Sequence, residues 1–241
     1  AKWLIELDKN RPSSSLLDHA LNYLSLGQAY LLQGITYSSL PTQKHIFGLQ
    51  SGNQLELAVN YMHKAIDGLR KAGAQEFIVP GLLARGELYR LLGDYTCAWE
   101  DLDEAYDIAE RGEMRLWLTD YHLGAARVIN RQLLAVSNQQ QANSFRVIEK
   151  GREIELSRED MVARMKDHIE KADTLIKETG YHRRDPELLL LRAQYHFVSG
   201  NLEKAREWLE KASQRFEEMG IRERDWEVEG LDVLMRDSRD T

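Results

Sequence analysis

Small and apolar residues recur along the chain in one arrangement. Tyr23-x2-Leu26-Gly27-x2-Tyr30 puts two aromatics, a leucine and a glycine on one helical face. Leu82-x2-Arg85-Gly86-x2-Tyr89 repeats it, and Asp120-x2-Leu123-Gly124-x2-Arg127 and Leu189-x2-Arg192-Ala193-x2-His196 are weaker copies. Each of these helices, termed helix A, is followed by a second apolar helix, helix B. The four helix-B instances are Ala58-x3-Met62-x2-Ala65, Ala98-x3-Leu102-x2-Ala105, Met165-x3-Ile169-x2-Ala172 and Ala205-x3-Leu209-x2-Ala212. Small residues on facing helices let two backbones approach to about 8–10 Å, so each B helix is expected to pack closely on its A helix, with Gly86 facing Ala98.

Start and stop signals place the elements. Ser15 caps a helix over 16–32 that Gly34 closes, and Asn53 caps a helix over 54–72. Pro80 opens a helix over 80–92; Gly93 and Asp94 turn the chain into a helix over 95–111. A third pair is expected at 114–134 and 158–178, with Ser157 and Asp160 forming a capping box. Between them, Ser137 to Ser144 is polar and loop-like, and 145–156 reads either as a short hairpin about Lys150-Gly151 or as an irregular helix. A fourth pair spans 186–220, with Asp185 as N-cap and Pro186 at the first helical position.

The end of the chain echoes itself with a period of 40: Gly180-Tyr181-His182-Arg183-Arg184-Asp185 aligns with Gly220-Ile221-Arg222-Glu223-Arg224-Asp225. The cluster His182-Arg183-Arg184-Asp185 therefore reads as an inter-repeat turn, since catalytic groups seldom recur with a repeat period. The expected organisation is a linker or the tail of an upstream helix at 1–15, a repeat array at 16–222 and a capping helix with tail at 223–241. The repeats are 16–73, 80–112, 114–180 and 186–220, interrupted by inserts at 35–53 and 130–157. Repeats contact mainly their neighbours, so one elongated unit is expected.

Composition narrows the function. The 241 residues are 43% hydrophobic and 29% charged, with a net charge of -7 that disfavours attraction to nucleic-acid phosphates. No apolar run reaches membrane-spanning length, and no secretory signal opens the chain. Ala1 stands first without Met, which implies either its removal or a longer parent chain. The lone Cys97 cannot form an internal disulfide, which suits a reducing cytoplasm, and it reads as a small buried hydrophobe. Seven histidines show no metal-ligand spacing, and no phosphate-binding glycine loop occurs. No catalytic, cofactor or metal residue is assigned. Arg85 and Arg192 share one repeat position and are expected to pair with acids on neighbouring helices, with an anchor for a partner as the alternative.

The helix-A pattern resembles the W-x2-L-G-x2-Y signature of the tetratricopeptide repeat, with Tyr for Trp. The runs Ala65 to Gly73, Pro80 to Arg85, Asp101 to Ala105 and Thr179 to Leu188 look like the bacterial tetratricopeptide arrays found C-terminal to STAND or NACHT-type ATPases or linked to TIR domains in signalling and conflict proteins. The resemblance implies an all-α, right-handed solenoid of about four long-helix repeats. It implies a cytoplasmic, non-catalytic scaffold that binds a protein or peptide, with homo-oligomerisation as the alternative and a stand-alone enzyme as a remote one.

On that pattern the partner groove is lined by Leu83, Glu87 and Arg90, then Tyr121, Ala125 and Val128, then Leu190 and Gln194. Gln28, Glu87, Ala125 and Gln194 stand where a carboxylate clamp has Asn, so an acidic C-terminal tail is a poor ligand. A helix or an extended peptide suits the mixed groove better. Both inserts leave between helix A and helix B. They read either as tolerated surface variation, since long loops cost little entropy, or as the border of a recognition surface with His45, Phe47, Phe145 and Ile148 as its apolar contacts.

Overall fold

The computed structural model describes residues 15–37, 53–137, 144–222 and 224–238. Among these are nine α-helices and one β-hairpin. His45, Phe47, most of the first insert and residues 1–14 lie outside the described residues. The chain divides into two compact units, Ala1–Gly112 and Glu113–Thr241, where the sequence suggests a single one. The division falls in the turn after the second helix pair, where Glu113 adopts φ 51°.

The first unit holds α1 (Leu16–Tyr37), α2 (Asn53–Ala72), α3 (Gln75–Leu92) and α4 (Tyr95–Arg111). Ser15 and Asp18 exchange hydrogen bonds of 2.9 and 3.2 Å and cap α1. The helices α1 and α2 meet on glycines. A β-carbon at Gly27 would come within 2.8 Å of the Met62 side chain, and one at Gly68 within 2.8 Å of the Ala20 methyl. Gly34 does not end α1. It is one more point of close approach, with Leu55 against it, and the helix continues to Tyr37. Pro80 likewise lies inside α3 rather than at its start. The ring removes one backbone donor close to the N-terminus, and the buried Ile78 and Val79 hold the first turn in place. Gly93 at φ 81° then turns the chain, and Asp94 caps α4 through the Cys97 amide at 3.1 Å. Across α3 and α4, a β-carbon on Gly86 would lie 3.5 Å from the Ala98 carbonyl, and Ala98 and Ala105 are fully buried.

The second unit holds α5 (Arg115–Ser137), β1 (Ser144–Glu149), β2 (Arg152–Ser157), α6 (Arg158–Thr179), α7 (Asp185–Val198), α8 (Leu202–Glu218) and α9 (Asp225–Asp237). Here α5 packs on α6 and α7 on α8, while α7 also touches α5 and α6, and α9 closes on α8 and α7. Ala172, Ala205 and Ala212 are fully buried at these contacts. Asp185 is not an N-cap: a 3-10 turn over His182–Arg184 runs straight into the helix, making Asp185 its first residue.

Residues 144–157 form a hairpin, so among the described residues the fold is helical with one two-stranded ribbon. Lys150 and Gly151 both have positive φ, 52° and 68°, the geometry of the two-residue turn whose twist matches paired strands. Phe145 opposes Leu156 and Val147 opposes Ile154. Phe145 and Val147 are buried, and the ribbon lies against α6. Gln132 of α5 donates to the Arg146 carbonyl at 3.0 Å, and Arg164 of α6 pairs with Glu149 at 2.7 Å. Ser157 then caps α6 in a reciprocal box with Asp160.

Candidate partner-binding site

One position of helix B behaves alike in all four pairs. The residue just before the large core residue is Tyr61, Asp101, His168 or Trp208, and each meets helix A across the seam. Tyr61 stacks between Tyr23 and Tyr30, with ring centroids 6.0 and 5.5 Å apart. Asp101 takes a bidentate pair of hydrogen bonds from Arg85 at 2.9 and 2.6 Å. His168 shares a 2.9 Å hydrogen bond with His122. The guanidinium of Arg192 lies 4.9 Å from the Trp208 ring and pairs with Asp173 at 2.9 Å. The acid partners expected for Arg85 and Arg192 are therefore present.

The two middle contacts are buried and tune their groups. Burial pushes the Asp101 carboxyl up while Arg85 pulls it back. Burial pulls His122 down to about 3, helped by His168, and pulls His168 down to about 4 against the field of Asp167. Both imidazoles are thus neutral at pH 7, so one Nδ1–H donates to the other Nδ1.

Tyr23, Tyr30 and Tyr61 are instead half-buried, and Lys64 sits over the Tyr23 and Tyr61 rings at 5.8 and 5.6 Å. Lys64 also borders an open depression of about 510 Å³ along α2, shared with Glu56, Val59, Asn60, His63 and Asp67. His63 is positioned from the side by Tyr89, whose hydroxyl lies 2.9 Å from Nε2, and by Arg85 at 3.3 Å from Nδ1. The result is a partly exposed aromatic stack beside polar groups of both charges. Tyrosines offer much contact area for few lost rotamers, and Lys64 adds a cation.

The groove residues read from the pattern divide. Leu83, Glu87 and Tyr121 are half-buried. Arg90, Ala125, Val128, Leu190 and Gln194 are buried, so the groove reading is corrected there: these side chains pack in the interior of their units. Arg90 is held by Glu87, one turn earlier, at 2.8 and 2.9 Å. Gln194 and Asn130 each keep a buried amide oxygen with no hydrogen-bond partner among the described residues. Of the insert contacts, Phe145 is corrected to a core residue of the second unit and Ile148 is half-buried.

The His182–Asp185 turn anchors an ion network. Arg184 grips Asp120 at 2.6 and 3.1 Å and Glu187 at 2.5 Å, and Arg127 pairs with Glu187 as well. Forty residues on, Arg224 repeats the arrangement, bonding Glu227 at 2.8 Å and reaching back to Glu187 at 3.9 Å. Burial alone would raise Glu187, but Arg127, Arg224 and Arg184 hold it down at about 2. Each of these carboxylates is matched by a guanidinium, and burial pushes the Asp120 carboxyl up while Arg184 pulls it back.

Cys97 is half-buried, not fully buried as the sequence suggests. Burial and the Asp94 carboxylate push its thiol up to about 11, far from thiolate reactivity. Among the described residues, no group of three His, Cys, Asp or Glu is placed to hold a metal, and no helix is long and apolar enough to cross a membrane. No protein-family model matches the chain, and no curated protein matches it.

Proposed function

We propose that the chain is a tetratricopeptide-type repeat scaffold that binds a protein or peptide and performs no chemistry of its own. The observation that carries this is the seam: four helix pairs place a contact at one register position while varying its chemistry from tyrosine stack to ion pair to histidine pair to cation over indole. Repeated geometry with varied chemistry suits a scaffold, because each seam keeps its repeat packed while a partly exposed seam such as Tyr23–Tyr61–Tyr30 can also meet a partner. The recognition surface is the Tyr23–Tyr61–Tyr30 stack with Lys64 and the adjoining depression on α2. An extended or helical peptide carrying proline or aromatic groups and a carboxylate suits rings and an ammonium side by side. In a cell this scaffold serves as the sensing region of a bacterial signalling protein.

Selection of displayed peptides on the full chain tests this. Enriched sequences should share an aromatic or proline beside an acidic residue, and Tyr61→Ala should abolish the enrichment. A selection that enriches nothing, or enriches equally on Tyr61→Ala, removes this surface as the site. Sedimentation of the same samples checks the alternative: a concentration-dependent dimer lost in Tyr61→Ala means the partner is another copy.

A further inference from the structure

The two edges of the hairpin differ. In a two-residue hairpin the residues flanking the turn, here Glu149 and Arg152, bond to each other, and bonded and non-bonded pairs then alternate along the ladder. Val147–Ile154 and Phe145–Leu156 are therefore bonded pairs, and the backbone groups of Arg146 turn outward. The Gln132 amide on the Arg146 carbonyl, at 3.0 Å, agrees with this phase and ties the β1 edge to α5. Glu155 stands opposite Arg146 and Glu153 opposite Ile148, so the N–H and C=O groups of both glutamates point away from β1. Among the described residues these groups make no backbone–backbone hydrogen bond outside the ribbon, and the sheet ends at β2. Beyond them the edge closes, because the Ser157 N–H turns to the Asp160 carboxylate at 3.4 Å. The side chains alternate. Glu153 and Glu155 are exposed on the face away from α6, while Ile154 and Leu156 are half-buried on the other face with Val147 and Phe145. Arg146 lies 3.5 Å from Glu153, and Ser144 donates to Glu155, so this stretch of edge carries one cation for two carboxylates.

We propose that the β2 edge takes an extended segment of another protein as a third, antiparallel strand, with basic residues opposite Glu153 and Glu155 and an apolar residue between them. The extended form follows from the outward backbone groups, which only a strand can meet at this spacing. Antiparallel pairing is the more stable per residue, and it puts the two basic residues in hydrogen-bonded positions. Their charge follows from the two glutamates, since opposite charges facing each other across strands are favourable. The apolar residue falls beside Ile154. A second copy of β2 would instead set glutamate against glutamate on this face, which is destabilising. This edge belongs to the second unit and the tyrosine surface to the first, so either can fail without the other.

The test uses the full chain and a labelled synthetic peptide of about nine residues in which lysine and valine alternate. One control carries glutamate for lysine. Two others keep the side chains but bear N-methyl groups, on the lysine nitrogens or on the valine nitrogens. In the antiparallel pairing the lysine N–H groups face β2 and the valine N–H groups face away. Fluorescence anisotropy should therefore show saturable binding of the parent and of the valine-methylated peptide. The glutamate peptide and the lysine-methylated peptide should bind at least about tenfold more weakly. Glu153→Lys/Glu155→Lys should reverse the preference between the lysine and glutamate peptides and leave the thermal melt unchanged, because exposed charges contribute little to stability. Tyr61→Ala should have no effect. The proposal is overturned if the lysine peptide does not saturate, or if its lysine-methylated form binds as the parent does. It is also overturned if sedimentation shows a wild-type dimer that the lysine peptide dissociates, since the occupant is then a second copy.

Discussion

His122 and His168 show how one contact sets a residue's chemistry. In the fold they titrate at about 3 and about 4; in the unfolded chain both titrate near 6.5. Tyr121 on α5 and Arg164, Asp167 and Lys171 on α6 face them, and the Asp167 carboxylate opposes the effect of burial. Below pH 6.5 the unfolded chain takes up protons that the folded chain refuses. Their stabilisation is complete above that pH and is lost as pH falls toward 4. The slope is on the order of 1.4 kcal/mol per pH unit for each histidine. Urea midpoints should therefore drop steeply between pH 6.5 and 4.5, and His122→Phe/His168→Leu should flatten that dependence. An equally steep drop in the double variant means other groups drive it. The sequence shows His122 only as one member of Asp120-Tyr121-His122, with nothing to join it to a residue 46 positions away. The missed signal is register: His168 precedes Ile169 as Tyr61 precedes Met62.

At the scale of elements, the seam contacts explain why each B helix pairs with its own A helix. Hydrophobic stripes are interchangeable; a bidentate Arg–Asp pair and a His–His hydrogen bond are not. Arg85→Leu should leave the nearly buried Asp101 without its partner, at a cost of about 3–5 kcal/mol, whereas Arg85→Leu/Asp101→Leu should regain most of it. A double variant no better than the single one means the pair does not govern this seam. Helix existence and the A–B alternation were legible because small residues at fixed spacing have one mechanical use. Boundaries were less so. Pro80 and Gly34 read as punctuation, but burial of Ile78 and Val79 in one case and of Leu55 in the other carries the helix past them. The hairpin shows the opposite limit. Its turn residues were readable, but its core role was not, since Phe145 depends on α6 lying beneath it. Phe145→Ala should cost about 3–5 kcal/mol in a denaturant melt, and a neutral result makes the ribbon a surface ornament.

At the scale of the whole molecule, the groove positions counted from the pattern do not all reach the surface. Counting inward positions assumes that helix A leaves its inner face open. In the second unit Ala125, Val128, Leu190 and Gln194 are instead enclosed, while the Tyr23–Tyr61–Tyr30 stack at the seam of the first pair is partly exposed. Calorimetric titration of a selected peptide into the full chain and into Tyr61→Ala tests recognition by the tyrosine surface. Saturable binding to wild type, weakened by at least about tenfold in Tyr61→Ala with both proteins equally folded, is the predicted result. Equal affinity for the two proteins would contradict it.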